Sequence, residues 1–493
     1  MSDKTKGKLQ RAAFPAVKIQ MKELKSTEFK KSLGLLDSVL LVSGSMIGSG
    51  IFIVSAGMTR DLGSAGWLML AWVVAGILTV MAALSYGELS AMMPDAGGQY
   101  VYIQRAFGRL TAFLYGWTVF TVIQTGVIAA VAVAFAKFTA VFFPVLSPQH
   151  ILADFGFFRI NAAQLLAIAS IAFLTWLNSR GVKDGKLVQS IFTSAKIMAL
   201  LALIVFGLIK GAGSPAWQAN LNDLWHASRF NPQDGSSLPL SGWALLSVLG
   251  VAMVGSLFSS DAWNNVTFIA GEIRNPQRNL PLSLFLGTLL VTVLYLLANL
   301  SYLALLPMQE IQTAAEDRVG TAAARVIFGD SALYLMAALI MVSTFGCNNG
   351  LIMGGARLFY AMAKDGLFFS RAGKLNRNSV PGFALWVQGI WASVLCLSGK
   401  YGDLLEYTTF ASLLFYIVTI AGLFVLRKKE PDTERPYRVF LYPFLPALYI
   451  LCAAAFCLNL LINSPQFTLA GLFIVALGFP VYLIVRPVRA QSA

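Results

Sequence analysis

Two stretches of the chain join apolar flanks to a run of small and polar residues, and such runs can present their backbone to a ligand. The first reads GSMIGSG over residues 44–50, and the second reads VGSLFSSDAWNN over residues 254–265. A Gly inside a helix costs about 1 kcal/mol relative to Ala, so both runs favour a break in the helix. A break leaves free N–H groups, which suit a carboxylate, and free C=O groups, which suit an ammonium. The two runs together predict a binding site for a zwitterion.

Close packing between helices is the alternative explanation of these runs. Gly44 and Gly48, like Ser45 and Ser49, have the four-residue spacing of small-xxx-small packing motifs. The position of the second run favours the binding site, because it interrupts the sixth apolar segment while the first run interrupts the first. Transporters built from inverted repeats carry such interruptions in corresponding segments of their two halves.

A lysine in the middle of an apolar segment is a further candidate for chemistry. Lys196 lies in SIFTSAKIMALLALIVFGLI, some ten residues from the predicted inner end of that segment. Ten helical residues span about 15 Å, which exceeds the reach of a side chain that snorkels to the interface. Charged residues inside a membrane are costly and mark functional sites. We therefore predict a functional role for Lys196, with snorkelling as the alternative.

The elements that must position these residues are membrane helices. Of the 493 residues, 57% are hydrophobic and 12% are charged, a charged fraction far below that of soluble domains. The apolar residues form blocks of about 20, the length that crosses a bilayer. The blocks predict an all-α integral membrane protein with twelve transmembrane helices, at 35–60, 65–93, 110–137, 161–179, 187–210, 243–269, 281–305, 331–362, 383–399, 403–426, 443–462 and 467–486.

The net charge of +14 follows the predicted membrane topology, and no nucleic-acid partner is expected. With the N-terminus inside, 28 of the 37 Lys and Arg residues lie on the inner side and eight on the outer side. Positively charged loops remain in the cytoplasm. We therefore expect a multi-pass protein of the cell membrane, inner or plasma, with both termini in the cytoplasm.

The same pattern divides the chain into a helical core and shorter flanking parts. No signal peptide is predicted, because the N-terminal residues are polar and basic. The predicted parts are a basic cytoplasmic tail (1–31), a ten-helix transporter core (32–426, with repeats at about 35–210 and about 243–426), a cytoplasmic loop (427–442), helices 11 and 12 (443–486) and a cytoplasmic C-terminal tail (487–493).

Four motifs carry a specific resemblance when they are taken together. GSMIGSGIF at 44–52 and FSSDAWNNVTFIAGEIRNPQRNLP at 258–281 cover the two interrupted segments. YGELSAMMPDAGGQYVY at 86–102 and STFGCNNGLIMGGARLFYAMAKDG at 343–366 cover the second and eighth segments. These motifs resemble the L-type amino acid transporter branch of the amino acid–polyamine–organocation (APC) superfamily, over about residues 33–486. The resemblance implies a bacterial-type homologue with the LeuT-type fold, two inverted five-helix repeats with discontinuous helices 1 and 6.

The resemblance also implies which residues bind substrate. The carboxylate of an amino acid is expected to bind backbone amides of Ile47, Gly48, Ser49 and Gly50. Its amino group is expected to bind carbonyls of Phe258, Ser259, Ser260 and Asp261. Phe258 stands where the family has an aromatic gate over the substrate. The branch often has Gly at the position of Asp261. The Asp261 side chain therefore either adds an ammonium contact or hydrogen-bonds the local unwound backbone.

In sodium-independent members of the superfamily, a Lys in the fifth span occupies the place of a sodium ion, and the resemblance gives this role to Lys196. Tyr295 matches a family Tyr that contacts this Lys, or it is an ordinary packed aromatic. Gln124 either lines the pocket or makes a hydrogen bond between helices. Ser343 and Thr344 stand where sodium-coupled relatives have hydroxyl ligands, and beside Lys196 we expect them to be structural. No metal ion or other cofactor is predicted.

The expected function is sodium-independent exchange of neutral L-amino acids by alternating access. A proton-coupled symporter in which Lys196 titrates is the main alternative. A channel is disfavoured because the repeat lies within one chain. A membrane enzyme is disfavoured because the only two histidines, His150 and His226, lie in predicted outer loops and form no metal motif.

Small neutral L-amino acids and the lipid bilayer are the predicted partners. Animal L-type transporters join a heavy chain through a cysteine in the loop after the third span. The corresponding loop here, 138–160, contains no cysteine, and all four cysteines lie in predicted spans. We therefore expect no disulfide-linked heavy chain and a transporter that works alone.

Overall fold

The computed structural model describes residues 29–154, 159–397 and 401–485. The predicted C-terminal tail and residues 1–28 of the predicted N-terminal tail lie outside these ranges. The backbone N–H groups of Ser32 and Leu33 donate to the carbonyl oxygen of Glu272 at 2.9 and 3.1 Å. Leu33 also forms an isolated parallel bridge with Ile273. The chain therefore enters its first helix from beside the end of the sixth segment.

Helices form most of the described chain, as the apolar blocks predict. Their bounds are α1 (Leu35–Met46), α2 (Val54–Leu62), α3 (Ala65–Met92), α4 (Gln99–Phe107), α5 (Arg109–Thr118), α6 (Gln124–Thr139), α7 (Ala162–Ser179), α8 (Val182–Gly211), α9 (Pro215–Asn222), α10 (Gly242–Ser259), α11 (Asn265–Phe268), α12 (Pro276–Leu305), α13 (Met308–Gln312), α14 (Val319–Phe328), α15 (Ala332–Lys364), α16 (Gly382–Leu397), α17 (Tyr401–Lys429), α18 (Phe444–Asn463) and α19 (Pro465–Val485).

Two small antiparallel hairpins depart from the all-α prediction. The first pairs β1 (Ile151–Asp154) with β2 (Arg159–Asn161), and the second pairs β3 (Ser228–Phe230) with β4 (Ser237–Pro239). Both lie in long connections between apolar blocks, where no lipid-facing helix is required and extended chain can pair with itself.

Ten helical stretches of the described residues are long and apolar enough to cross a membrane. Two shorter apolar helices, α1 and α16, occupy the positions of the first and ninth predicted spans. The chain is therefore a multi-pass membrane protein. α1 falls short of a full span because the first segment is interrupted, as its Gly and Ser run predicts.

Both interrupted segments are broken in the structure. α1 ends at Met46, and a 3-10 turn at Gly50–Phe52 leads into α2. α10 ends at Ser259, and the chain becomes helical again at α11. Between α10 and α11, Ala262 has φ +66°, a left-handed conformation that ends the first half of the segment.

The two broken segments pack against each other in opposite directions. α1 contacts α11, and α2 contacts α10, so the first half of each segment lies beside the second half of the other. α12 packs against α1, α3 and α8, while α15 packs against α1, α6 and α8. Helices therefore enclose both breaks, as unwound backbone in a membrane requires.

Candidate functional site

Lys196 lies in the middle of α8, and its ammonium reaches the break in the first segment. The residue is 2% exposed. Its Nζ lies 2.5 Å from the carbonyl oxygen of Gly44, 2.6 Å from that of Ile47 and 3.3 Å from that of Ser343 on α15. An ammonium has three N–H donors, and three carbonyl acceptors surround it. The lysine thus joins α8 to the first break and to α15, and it does not extend to the membrane interface.

Every carbonyl from Gly44 to Gly48 accepts a hydrogen bond, although the end of a helix leaves its last carbonyls without intrahelical donors. The Ser343 hydroxyl lies 3.0 Å from the carbonyl oxygen of Ile47 and 3.1 Å from that of Gly48. The Cys347 thiol lies 3.0 Å from the Ser45 carbonyl oxygen. Side chains of α8 and α15 therefore replace the missing helical donors and hold the break open.

The backbone amides of the first break are only partly available to a substrate. The Ile47 N–H donates to the carbonyl of Ser43 at 2.9 Å, and the Gly48 N–H donates to the carbonyl of Met46 at 2.9 Å. Two of the four amides expected to bind a carboxylate are thus already engaged. Ser49 and Gly50 remain, at the start of the 3-10 turn, where the first N–H groups have no helical acceptor. The candidate carboxylate site narrows to these two residues.

Tyr295 connects the two breaks. The residue is 1% exposed, and its hydroxyl lies 3.1 Å from the carbonyl oxygen of Met46 and 3.1 Å from that of Ser259. This differs from the expected contact with Lys196. The two side chains come from different helices, α12 and α8, and they reach different carbonyls of the first break.

The two broken segments approach each other closely at Gly50 and Ser259. A Cβ atom on Gly50 would lie 2.3 Å from Ser259 Oγ, 3.0 Å from its Cβ and 3.3 Å from its Cα. The segments can therefore approach this closely only because position 50 is a glycine.

Phe258, the residue before Ser259, is partly buried and packs against the apolar core. Phe258 does not line the two small cavities beside Asp261. The gate role of Phe258 therefore remains a prediction.

Asp261 and Ser260 line a small cavity between the second break and the helices α3, α17 and α18. The Asp261 carboxylate accepts a hydrogen bond from the Tyr416 hydroxyl, on α17. The Tyr416 ring in turn packs against Trp263, with centroids 5.2 Å apart. A side chain from a distant helix therefore orients the Asp261 carboxylate at the edge of the cavity.

Gln124 makes a hydrogen bond between helices and lines a small cavity, and its role toward substrate stays a prediction. Its Nε2 donates to the Leu351 carbonyl on α15 at 2.8 Å, and the residue also lines a second small cavity that contains Asp261. Gln124 directly follows a π-helical turn at Val119–Ile123, which changes the face that the following residues present. This turn allows one side chain of α6 to serve both the α15 backbone and the cavity.

Gln99 is a polar connection that sequence reasoning missed. The residue is fully buried, and its Oε1 accepts from the Tyr115 hydroxyl at 2.9 Å and from Asn264 Nδ2 at 2.8 Å. Its Nε2 donates to the Thr419 hydroxyl at 2.9 Å. Gln99 thus fixes the second break to α5 and α17. The GGQ sequence at 97–99, which ends with this residue, is the signal that could have indicated this site.

Glu88 is a second buried polar connection, near the C-terminal end of α3. It is fully buried, and the Arg427 guanidinium donates to it through Nε at 2.8 Å and Nη2 at 2.6 Å. The Val439 N–H adds a hydrogen bond at 2.8 Å, and Arg435 Nε lies 3.4 Å away. Glu88 therefore joins α3 to the end of α17 and to the loop that follows it.

Comparison with known proteins agrees with this geometry. The amino acid permease family model matches residues 33–485. The b(0,+)-type amino acid transporter 1 of Mus musculus is 31% identical over 462 residues, which cover 92% of this chain and 88% of that protein. The large neutral amino acids transporter small subunit 2 of Homo sapiens is also 31% identical over 462 residues, which cover 92% of this chain and 80% of that protein.

Both relatives are named as amino acid transporters, and the match extends over nearly the whole chain, including both broken segments. A family of transporters also supports a role other than catalysis. The chain belongs to the amino acid permease family of the APC superfamily, within the L-type branch that its motifs indicate.

Proposed function

We propose that this protein exchanges small neutral L-amino acids across the cell membrane by alternating access, independently of sodium. The observation that carries the proposal is the Lys196 ammonium, which lies within 2.6 Å of two carbonyls of the first break. A sodium ion at that place would supply one positive charge to the same kind of oxygen ligand. The lysine supplies that charge from the protein itself.

The covalent attachment of this charge determines the mode of transport that we propose. An ion that binds with substrate and leaves with it couples transport to a gradient, whereas Lys196 stays in α8 throughout the cycle. No ion gradient then drives substrate in either direction. The protein would therefore exchange one amino acid for another. Proton coupling through Lys196 is the alternative that this geometry leaves open.

The substrate is proposed to bind between the two breaks. The amides of Ser49 and Gly50 would hold its carboxylate, with the positive end of the α2 helix dipole behind them. Carbonyls at the end of α10, from Phe258 to Asp261, would hold its amino group. Main-chain groups of the protein would then balance both charges of the zwitterion. A substrate with a neutral side chain would need no charged side chain of the protein.

The topology belongs to the same proposal. We propose twelve spans, with the first ten arranged as two inverted repeats at about 35–210 and about 243–426, and with both termini in the cytoplasm. The residues 427–442 would form a cytoplasmic loop before helices 11 and 12. The opposite packing of α1 with α11 and of α2 with α10 supports this arrangement, because an inverted repeat requires it.

The name of one relative bears on partners. That relative is called a small subunit, so it works in an assembly with at least one more subunit. This argues against the prediction that the present chain works alone. The absence of cysteine from 138–160 excludes only a disulfide between that loop and a second subunit. It does not exclude a non-covalent partner.

Exchange in proteoliposomes tests the proposed function. The purified protein is reconstituted, and uptake of a radiolabelled neutral L-amino acid is measured with and without unlabelled amino acid inside, in sodium or in choline buffer. We expect uptake that requires internal amino acid and that is equal in the two buffers. A panel of neutral, anionic and cationic competitors then identifies the accepted side chains.

Each alternative predicts a different result in this assay. Uptake into empty liposomes that grows with an inward proton gradient would indicate a proton symporter. Uptake that neither saturates nor responds to internal substrate would indicate a channel. Uptake that collapses in choline would overturn the role proposed for Lys196, and activity only after addition of a second subunit would establish an obligate partner.

A further inference from the structure

Two basic loops lie side by side at one end of the helix bundle. One (residues 179–186) comprises the end of α7, the two-residue turn after it and the first turn of α8, and the other (residues 370–378) precedes α16; we call these two segments the basic loops. Together these ranges contain six Lys or Arg residues and a single acidic residue, Asp184. Asn376 Nδ2 donates to the carbonyl of Ser179 at 2.8 Å, which fixes one loop against the other. A Cβ atom on Gly181 would lie 3.8 Å from Asn378, a second point of contact between them.

The basic side chains of these loops are exposed beside that contact. Arg180, Lys183, Lys374 and Arg377 each lie within three residues of it, and all four are exposed. Among the described residues, Lys183, Lys374 and Arg377 form no ion pair with a carboxylate. One cation elsewhere at the same end of the bundle, Arg105, is paired instead. Arg105 binds Glu430 at 2.6 Å, and its hydrogen bond lowers the pKa of that carboxyl from its usual value.

Aromatic side chains lie directly above the basic loops on the lipid-facing surface. Trp176 of α7 is 45% exposed, and Trp386 of α16 is 41% exposed. Each lies only three or four residues from the loop end of its helix, about 5–6 Å along the axis. Tryptophan is enriched at this depth, where one side of the ring meets acyl chains and the other meets headgroups. The Arg180 guanidinium lies 4.9 Å from the centroid of the Trp176 ring.

The two helices also contact each other farther from the basic loops than these rings. A Cβ atom on Gly389 of α16 would lie 2.7 Å from Thr175 Oγ1 of α7, so the helices touch closely at that level. Trp176 and Trp386 lie within three residues of this contact and therefore flank the seam between α7 and α16. A phospholipid whose two acyl chains lie along the seam would have its headgroup beside the basic loops.

We infer that this surface is a binding site for an anionic phospholipid. Its phosphate contacts Arg180, Lys183, Lys374 and Arg377, and its acyl chains lie along the seam between α7 and α16. Basic pockets at the cytoplasmic ends of neighbouring helices are known to bind anionic headgroups through this combination of charges. A zwitterionic lipid carries a cationic group that these side chains repel, so the site discriminates by headgroup charge. The inference depends on the membrane location of the chain and not on its substrate.

Thermal unfolding with defined lipids tests this site. We compare the wild type with the triple variant Lys183→Gln, Lys374→Gln, Arg377→Gln in detergent that contains phosphatidylglycerol or phosphatidylcholine. The matched control removes three exposed cations elsewhere at the same end, through Arg278→Gln, Lys428→Gln and Arg438→Gln. We expect the unfolding midpoints of the wild type and the control to be several degrees higher in phosphatidylglycerol than in phosphatidylcholine. The triple variant should have the same midpoint in both lipids.

A second measurement locates the lipid and does not depend on the triple variant. The wild type is reconstituted in bilayers with brominated phosphatidylglycerol or brominated phosphatidylcholine, and quenching of tryptophan fluorescence is compared with that of Trp176→Phe, Trp386→Phe. We expect stronger quenching by brominated phosphatidylglycerol in the wild type only. Equal effects of the two lipids, equal losses in the triple variant and its control, or full stabilisation by water-soluble glycerol phosphate would each overturn the inference.

Discussion

Lys196 is the residue on which most of the proposed function depends. It is the donor to Gly44 and Ile47 from a buried position, and a cation is stable there because carbonyl dipoles surround it. Without this ammonium, the Gly44 carbonyl would lose its donor in a buried site. The Ile47 carbonyl would keep only the hydroxyl of Ser343.

Replacing Lys196 by Ala should abolish most exchange and leave a folded protein. Each buried acceptor that loses its donor costs about 1–3 kcal/mol, which is expected to shift the first break without unfolding the bundle. Exchange in proteoliposomes and the unfolding midpoint in detergent are the measurements. Lys210→Ala, at the exposed end of the same helix, is the control and should exchange normally. Wild-type exchange in Lys196→Ala would show that the lysine has no part in transport.

At the scale of elements, the function depends on how closely the two broken segments approach. Gly50 allows the 3-10 turn of the first segment to touch the end of α10 at Ser259. The amides of Ser49 and Gly50 and the carbonyls at the end of α10, which we propose bind the substrate, lie on either side of this contact. The separation of the two segments is therefore set by the absence of one side chain.

Gly50→Ala should reduce exchange strongly, because the new methyl group would lie within 3.0 Å of Ser259 Oγ and Cβ and must push the segments apart. Gly57→Ala in α2 is the matched control, since its methyl group would come no closer than 3.7 Å to another residue. Exchange rates are compared at equal amounts of reconstituted protein. Normal exchange in Gly50→Ala would mean that the contact is not needed for transport.

A second prediction at this scale concerns the joint between α3, α17 and the following loop. Glu88→Gln would leave the Arg427 guanidinium without its carboxylate. Breaking a buried pair costs about 3–5 kcal/mol, and the lower end applies because Arg427 is 23% exposed. We expect a clear fall in the unfolding midpoint, and a much smaller one for Glu430→Gln, whose pair with Arg105 is exposed and worth at most about 1 kcal/mol. Similar midpoints for the two variants would contradict this assignment.

At the scale of the whole molecule, we expect the fixed cation of Lys196 to determine how much net charge moves during transport. Exchange of one neutral amino acid for another should move no net charge, because Lys196 remains within the protein. Currents from reconstituted membranes should therefore stay at background when a neutral amino acid is applied against a neutral internal one. A protein-dependent current that changes sign with the gradient of substrate would show that a charged species moves as well.

The features that the sequence predicts well are local ones. The Gly and Ser runs locate both breaks, because helix propensity and close backbone approach depend on the residues within one turn. Lys196 stands out for the same reason, since a charge within an apolar block is visible without any knowledge of neighbours. The even spacing of apolar blocks likewise indicates a multi-pass helical protein.

The partners of these residues are the part that could not be predicted. Tyr416 is 155 residues from Asp261, and Arg427 is 339 residues from Glu88. The rotation of each helix about its axis decides which side chains meet, and hydropathy says little about rotation in a bundle where nearly every face is apolar. The occupied amides of Ile47 and Gly48 were also hidden, because the conformation of the break decides them and the residue types do not.

The hydroxyl of Tyr295 has one hydrogen, but carbonyl oxygens of both broken segments lie 3.1 Å from it. It can satisfy only one of them fully at any moment. In the substrate site that we propose, a hydrogen directed to Met46 leaves the Ser259 carbonyl free for the ammonium of an amino acid. Departure of that ammonium would let the hydroxyl rotate and donate to the Ser259 carbonyl again. The two broken segments would thus share one hydrogen-bond donor, and substrate occupancy would determine which segment receives it.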